Sequence, residues 1–100
     1  MIRNFLAYEL ALKLYRKVEV MPLKHNIKDQ LVRASQSIVL NLAEGSAKST
    51  AKDKRRFYAI AFGSTKEVQA AFDIINLKDE EILDLVDHIA ACLYKLTYLR

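Results

Sequence analysis

Only two glycines, Gly45 and Gly63, and one proline, Pro22, occur in a chain of 100 residues. An all-β fold needs a turn every ~8–12 residues, and glycine and proline supply much of the backbone geometry that turns require. A chain this poor in both must be built from a few long elements, and long elements of this composition are helices. One hundred residues suffice for one domain, residues 1–100, and are too few for two.

Apolar spacing divides the chain into four helical segments. The first is predicted from about Asn4 to Val20, with Phe5, Tyr8, Leu12 and Tyr15 on one stripe and Ala7, Ala11, Leu14 and Val18 on a second. It stops before Pro22, whose ring disfavours helix in the preceding residue. Asn26 is the expected N-cap of the second helix, with Asp29 three positions on. Ile27, Leu31, Ala34, Ile38 and Leu42 follow at helical spacing, and Gly45 is expected to end the helix with a positive φ. Residues 45–50 read as a loop, and Thr50 with Asp53 as a second capping pair. The third helix places Phe57, Ile60, Ala61, Ser64, Val68, Ala71, Phe72 and Ile75 on one face and ends near Asn76. The fourth begins around Asp79, where Asp79, Glu80 and Glu81 complement the helix dipole. Its core stripe is Ile82, Val86, Ile89, Leu93 and Leu96, widened by Leu85, Ala90 and Leu99.

Helices of roughly 17–25 residues span about 26–37 Å. Short connections make neighbours antiparallel, so the expected fold is all-α, an antiparallel up-and-down four-helix bundle. No apolar run of ~18 residues is present to span a membrane. The N-terminus leads into an amphipathic pattern rather than a signal peptide, and the lone Cys92 has no intrachain partner, so a cytoplasmic protein is expected. Cys92 reads as a small apolar-face residue, with a reactive thiol as the alternative. The apolar arcs of the first and fourth helices are wider than one bundle face needs, and Tyr8 and Tyr15 are amphipathic aromatics of the interface type. Either self-association or a broad core accounts for them.

Charge is uneven. Residues 1–56 hold 12 Lys/Arg against 5 Asp/Glu, a net of +7, whereas residues 57–100 hold 4 against 7, a net of −3. Such a layout suits an anionic partner at one face, head-to-tail subunit contacts, or simply an unevenly solvated surface.

A polar line also needs explaining. Arg33, Ser37, Asn41 and Glu44 recur along one edge of the second helix, and Arg56, Ile60, Gly63 and Glu67 along one edge of the third, with Ser64 beside them. Glycine inside a helix is about 1 kcal/mol worse than alanine, so Gly63 reads as a place of close approach. If the two lines face each other or a neighbouring subunit, Arg33, Glu44, Arg56 and Glu67 form a charge network that fixes register; otherwise they are solvated helix surface.

These residues carry a resemblance. The run from Asp29 to Ala34, then Ser37 to Gly45, is similar to the Q-x-x-R-A…S-I-x-x-N-I-A-E-G segment of the four-helix-bundle family encoded in intervening sequences of bacterial 23S rRNA genes. Arg56-Phe57, Ala61, Gly63-Ser64 and Glu67 resemble that family's R-F…A-x-G-S-x-x-E pattern. Leu42 stands where Ile is usual, and Phe62 where a polar residue is common. The resemblance covers about residues 29–72. It implies a four-helix bundle assembling as a ring-like homopentamer without enzymatic activity. Proteins related in fold, the retroelement accessory variability proteins, bind a reverse transcriptase and nucleic acid. On this analogy Arg33, Ser37, Asn41, Glu44, Gly45, Phe57, Gly63, Ser64 and Glu67 are structural or interface residues.

Candidate ligand-binding residues are Lys48, Lys52, Lys54, Arg55 and Arg56, clustered at the turn between the second and third helices. There the helix N-terminus is expected to add to an anion site. Lys24, Lys28 and Arg33 fall at the far end of the second helix. The expected ligand is RNA or DNA, bound through its backbone without sequence specificity. The alternative is a protein-binding accessory subunit, for example of a reverse transcriptase. No nucleophile–base pair or phosphate-cradling loop is evident, and neither His25 nor His88 has a glutamate three residues earlier, as a di-iron bundle requires. No enzyme activity, cofactor or metal is therefore expected.

Overall fold

Apolar residues recurring every three or four positions give a helix one inward face, and four such helices need each other to bury those faces. The computed structural model describes residues 5–99 and contains α1 (Leu6–Glu19), α2 (His25–Ser46), α3 (Ala51–Ile74) and α4 (Glu80–Tyr98). The expected first-helix start at Asn4 lies outside the described residues. Helix backbones touch in the order α1–α2, α2–α3, α3–α4 and α4–α1, and neither diagonal pair approaches as closely. Contacts descend one helix as they climb the next: Gly45 meets Tyr58 while Ser37 meets Ser64, and Phe62 meets Tyr98 while Gln69 meets Asp87. Neighbours on these two sides of the bundle therefore run in opposite directions.

Leu14, Val18, Leu31, Ile38, Leu42, Val68, Phe72, Ile89 and Leu93 are fully buried and form the common core. Each contributes roughly 1.5–3 kcal/mol by leaving water. On α1 the stripe of Ala7, Ala11, Leu14 and Val18 is buried, whereas Tyr8, Leu12 and Tyr15 are only half-buried. Of the three buried polar residues among those described, Thr97 leaves its hydroxyl without a partner, whereas Ser35 and Thr65 each satisfy theirs within their own helix. Ser35 Oγ donates to the Leu31 carbonyl at 2.7 Å, and Thr65 Oγ1 to the Ala61 carbonyl at 2.9 Å.

Several helix ends follow the sequence. Thr50 Oγ1 accepts the Asp53 amide at 3.1 Å, and Asp79 Oδ1 accepts the Ile82 amide at 3.2 Å. Asn76 follows α3 with a φ of 53°. The Leu77 amide reaches back to the Phe72 carbonyl and that of Asn76 to the Asp73 carbonyl, a Schellman closure with asparagine in the left-handed position.

Other positions differ from expectation. Asn26 is not the N-cap of α2, because the helix already begins at His25 after an extended Lys24. The Lys28 ammonium donates to the Met21 carbonyl, and Leu23 packs on the core, so the linker delivers the chain into the helix two residues early. Gly45 does not end α2 with a positive φ; it is helical and buried, and the helix runs on to Ser46. Ile60 and Leu99 are exposed rather than core, and Tyr58 and Thr65 take inward positions on α3. The buried arc of α3 is centred on Ala61, Val68 and Phe72, which turns Ile60 out beyond its α2-facing edge.

Candidate nucleic-acid interface

A helix that ends and another that begins within four residues must satisfy many backbone groups in little space. Lys54 does part of this: its ammonium donates to the Ser46 carbonyl at 3.1 Å and ties the last turn of α2 to the first turn of α3. Ser46 Oγ donates to the Ala43 carbonyl. Gly45 lets the two helices close, since a Cβ there would lie 2.6 Å from Tyr58 Cε1 and 3.3 Å from the Lys54 carbonyl oxygen. Tyr58 is buried at this junction, its ring edge-on to Phe5 with centroids 6.1 Å apart. Burial pushes its phenol pKa above the ordinary value.

Of the five basic residues at this turn, two serve the structure. Lys54 is the strap just described. Lys48 lies 3.4 Å from the Glu44 carboxylate one turn earlier, and its ammonium sits 5.0 Å from the centre of the Phe57 ring. The Arg56 guanidinium also lies over Phe57, at 5.1 Å, so two cations flank one aromatic side chain. Lys52 and Arg56 are exposed and Arg55 half-exposed on the first two turns of α3, and among the described residues none of the three is in an ion pair. The helix N-terminus itself is less available than the sequence implied, because Thr50 already accepts one amide and the Asp53 carboxylate occupies the first turn. What the turn presents is a set of side-chain cations.

The polar line is brought together in part. Ser37 and Ser64 hydroxyls share a hydrogen bond of 2.8 Å between α2 and α3, and Asn41 Nδ2 donates to the Ser37 carbonyl at 2.9 Å and to Ser37 Oγ at 3.1 Å. All three residues are half-buried. The charged members do not form the expected network within the chain. Arg33, Arg56 and Glu67 are exposed without an ion pair among the described residues, and Glu44 pairs with Lys48 instead. Nor does Gly63 mark a close approach inside the bundle, for nothing lies within 4 Å of where its Cβ would be. Ile60 is exposed beside this edge, whereas Leu40 is exposed toward α1, where it lines a groove with Leu12, Tyr15 and Val39. At the far end, His25 lies 3.2 Å from Asp29 on the exposed first turn of α2. Among the described residues no three His, Cys, Asp or Glu side chains converge as metal ligands would, and no helix is long and apolar enough to cross a membrane.

The sequence pattern did not single out an aromatic group on the α3–α4 edge. Phe62 packs edge-on to Tyr98 at 5.8 Å and beside Tyr94 at 6.2 Å, with Tyr94 and Tyr98 5.3 Å apart. Its signal was a pair of tyrosines one turn apart lying off the core stripe of α4, opposite a phenylalanine where a polar residue is usual.

A family model described as 23S rRNA-intervening sequence protein matches residues 5–96. Searches of curated proteins and of solved structures found no match.

Proposed function

Because this chain belongs to the 23S rRNA-intervening sequence protein family, we propose that it is a cytoplasmic, non-enzymatic, oligomeric bundle of bacterial type that binds RNA or DNA through the cations of its α2–α3 turn. The observation that carries this reading is the arrangement of Lys52, Arg55 and Arg56 on two successive turns at one end of α3, with no carboxylate paired to them among the described residues. Cations of this kind neutralise phosphates and release condensed counterions, so affinity falls steeply with salt and depends little on base sequence. Oligomerisation multiplies the effect, since several modest patches on one particle bind a polyanion far more tightly than one.

The outer edge of α2–α3 supports the self-association. Arg33 and Glu67 are exposed without an ion pair among the described residues, Gly63 has open space beside it, and Ile60 exposes apolar surface near them. On this reading the edge meets a second copy in a ring, a homopentamer as in the resemblance above. A closed ring sets this edge against a different face of the neighbouring protomer, whose charges Arg33 and Glu67 then pair with.

Light scattering of the purified protein, with and without a generic RNA at low and high salt, tests both parts. An oligomer whose mass rises with RNA at low salt and returns at high salt supports the proposal. A monomer indifferent to RNA at low salt refutes it. A second reading, a protein-binding accessory subunit of an enzyme such as a reverse transcriptase, draws on the opposite end of the bundle, where Val20 and Ile74 are 78% and 74% exposed. Capture of such a partner that survives nuclease treatment would favour it.

A further inference from the structure

Three aromatic rings gather on the outer edge between α3 and α4, where a purely structural role would bury them. Tyr94 and Tyr98 keep 49% and 53% of their surface in solvent, and Phe62 beside them is half-buried. Cations border the group. The Lys66 ammonium lies 5.3 Å from the centre of the Phe62 ring. Arg55 precedes Phe62 by seven residues, which is about 10.5 Å along α3 and almost two full turns, so both occupy the same edge. Tyr98, the last residue of α4, packs against Phe62 midway along α3, about 16 Å along the helix axis from its first residue.

From this placement the geometry points to a stacking platform: Phe62, Tyr94 and Tyr98 receive unpaired bases of a single-stranded nucleic acid whose phosphates run past Arg55 and Lys66. This rests on the nucleic-acid reading above and narrows it from any polyanion to a strand with free bases. Aromatic rings interleaved with cations suit such a strand, because every base has a face to stack and every linkage a charge to neutralise. A duplex offers the phosphates but keeps its bases paired and out of reach. A second copy of the same edge is a poor occupant, since it would bring Lys66 and Arg55 against their own counterparts.

Five tyrosines and no tryptophan make tyrosine emission a direct probe of the rings. The full chain is titrated at low salt with oligothymidylate, with oligouridylate and with a duplex of equal length. Expected are quenched emission and at least about tenfold tighter binding of either single strand than of the duplex. Tyr94→Ala with Tyr98→Ala removes the quench and, by anisotropy of a labelled strand, weakens single-strand binding at least about tenfold while leaving duplex binding unchanged; Tyr94→Phe with Tyr98→Phe restores the binding by the same readout, though not the tyrosine signal. Far-ultraviolet circular dichroism confirms that the variants fold. Equal affinity for duplex and single strands, unaltered in the alanine variant, overturns the platform and leaves the basic turn standing. Failure to bind any of the three removes both. A drop in the alanine variant's scattering mass with single-strand binding intact assigns the rings to self-contact and also overturns the platform.

Discussion

Two glycines, both inside helices, respond to the same substitution in opposite directions. At Gly45 a methyl group would sit 2.6 Å and 2.9 Å from two carbons of the Tyr58 ring. Carbon atoms pack comfortably at about 3.5–4.0 Å, so the ring must retreat by roughly 1 Å. Tyr58 has nowhere easy to go, being buried and edge-on to Phe5, and the Lys54 carbonyl at 3.3 Å limits relief from the other side. Overpacking of this kind costs about 1–3 kcal/mol. Alanine returns at most about 1 kcal/mol of helix propensity, and less so near a helix end. Gly45→Ala therefore destabilises the fold by about 1–2 kcal/mol, lowering Tm by roughly 5–10 °C for a domain of this size. Gly63→Ala meets open space and gains about 0.5–1 kcal/mol within one chain. Urea and thermal unfolding followed by circular dichroism at one fixed protein concentration read both, since an oligomer's apparent stability depends on concentration. In a Tyr58→Leu background the penalty at Gly45 should vanish, because the ring edge that opposes the methyl is gone. A Gly45→Ala protein as stable as the parent would refute the close-approach argument.

Three further outcomes are expected. Ser37→Ala should destabilise by about 1 kcal/mol by leaving the half-buried Ser64 hydroxyl unpaired, and Ser64→Ala by less because Ser37 Oγ still accepts from Asn41, while the double variant loses less than the sum, as a denaturant double-mutant cycle will show. Lys54→Ala should lower Tm by freeing the Ser46 carbonyl, whereas Lys52→Ala and Arg55→Ala should leave Tm alone and each flatten the plot of log affinity against log salt by about 0.7–0.9. The Lys17–Glu81 pair at 2.8 Å links α1 to α4, and the Lys17 ammonium holds the Glu81 carboxyl below its usual value, so the pair's contribution is present at neutral pH and fades as pH falls through that lowered pKa. Both groups are exposed, so salt should weaken the effect, and Tm measured against pH for the parent and Glu81→Gln checks it.

Much of the architecture was legible because it follows from period and punctuation. Leu31, Ala34, Ile38 and Leu42 were assigned to the core by spacing alone and are buried; Thr50 was placed as a cap and acts as one, and Asp79, read only as an acid favouring the start of α4, is its N-cap. Gly45 was misread because glycine serves two ends: it permits a left-handed backbone and it permits a close contact. The left-handed position went to Asn76 instead, and only the position of Tyr58 distinguishes the two uses. Ile60 and Thr65 exchanged roles for a related reason. Apolarity ranks isoleucine above threonine for the interior, but the arc is set by packing on both α2 and α4, and a threonine that bonds to its own helix is tolerated there. Within the candidate site, the five cations were visible as a cluster, while the division between Lys54 and Lys48, which brace the turn, and the remaining three depends on distances. The aromatic edge joins residues more than thirty positions apart, a proximity that a single sequence does not encode.

The bracing of the α2–α3 junction has a consequence for how quickly and how tightly anything docks there. Lys52, Arg55 and Arg56 are not carried on a floppy arm that must be stilled when a ligand arrives; their backbone is the opening of a 24-residue helix, pinned by Thr50, Lys54 and the Gly45–Tyr58 contact. Only side-chain freedom is left to surrender on docking, so an incoming chain meets a rigid comb of charge and must itself bend to fit its teeth.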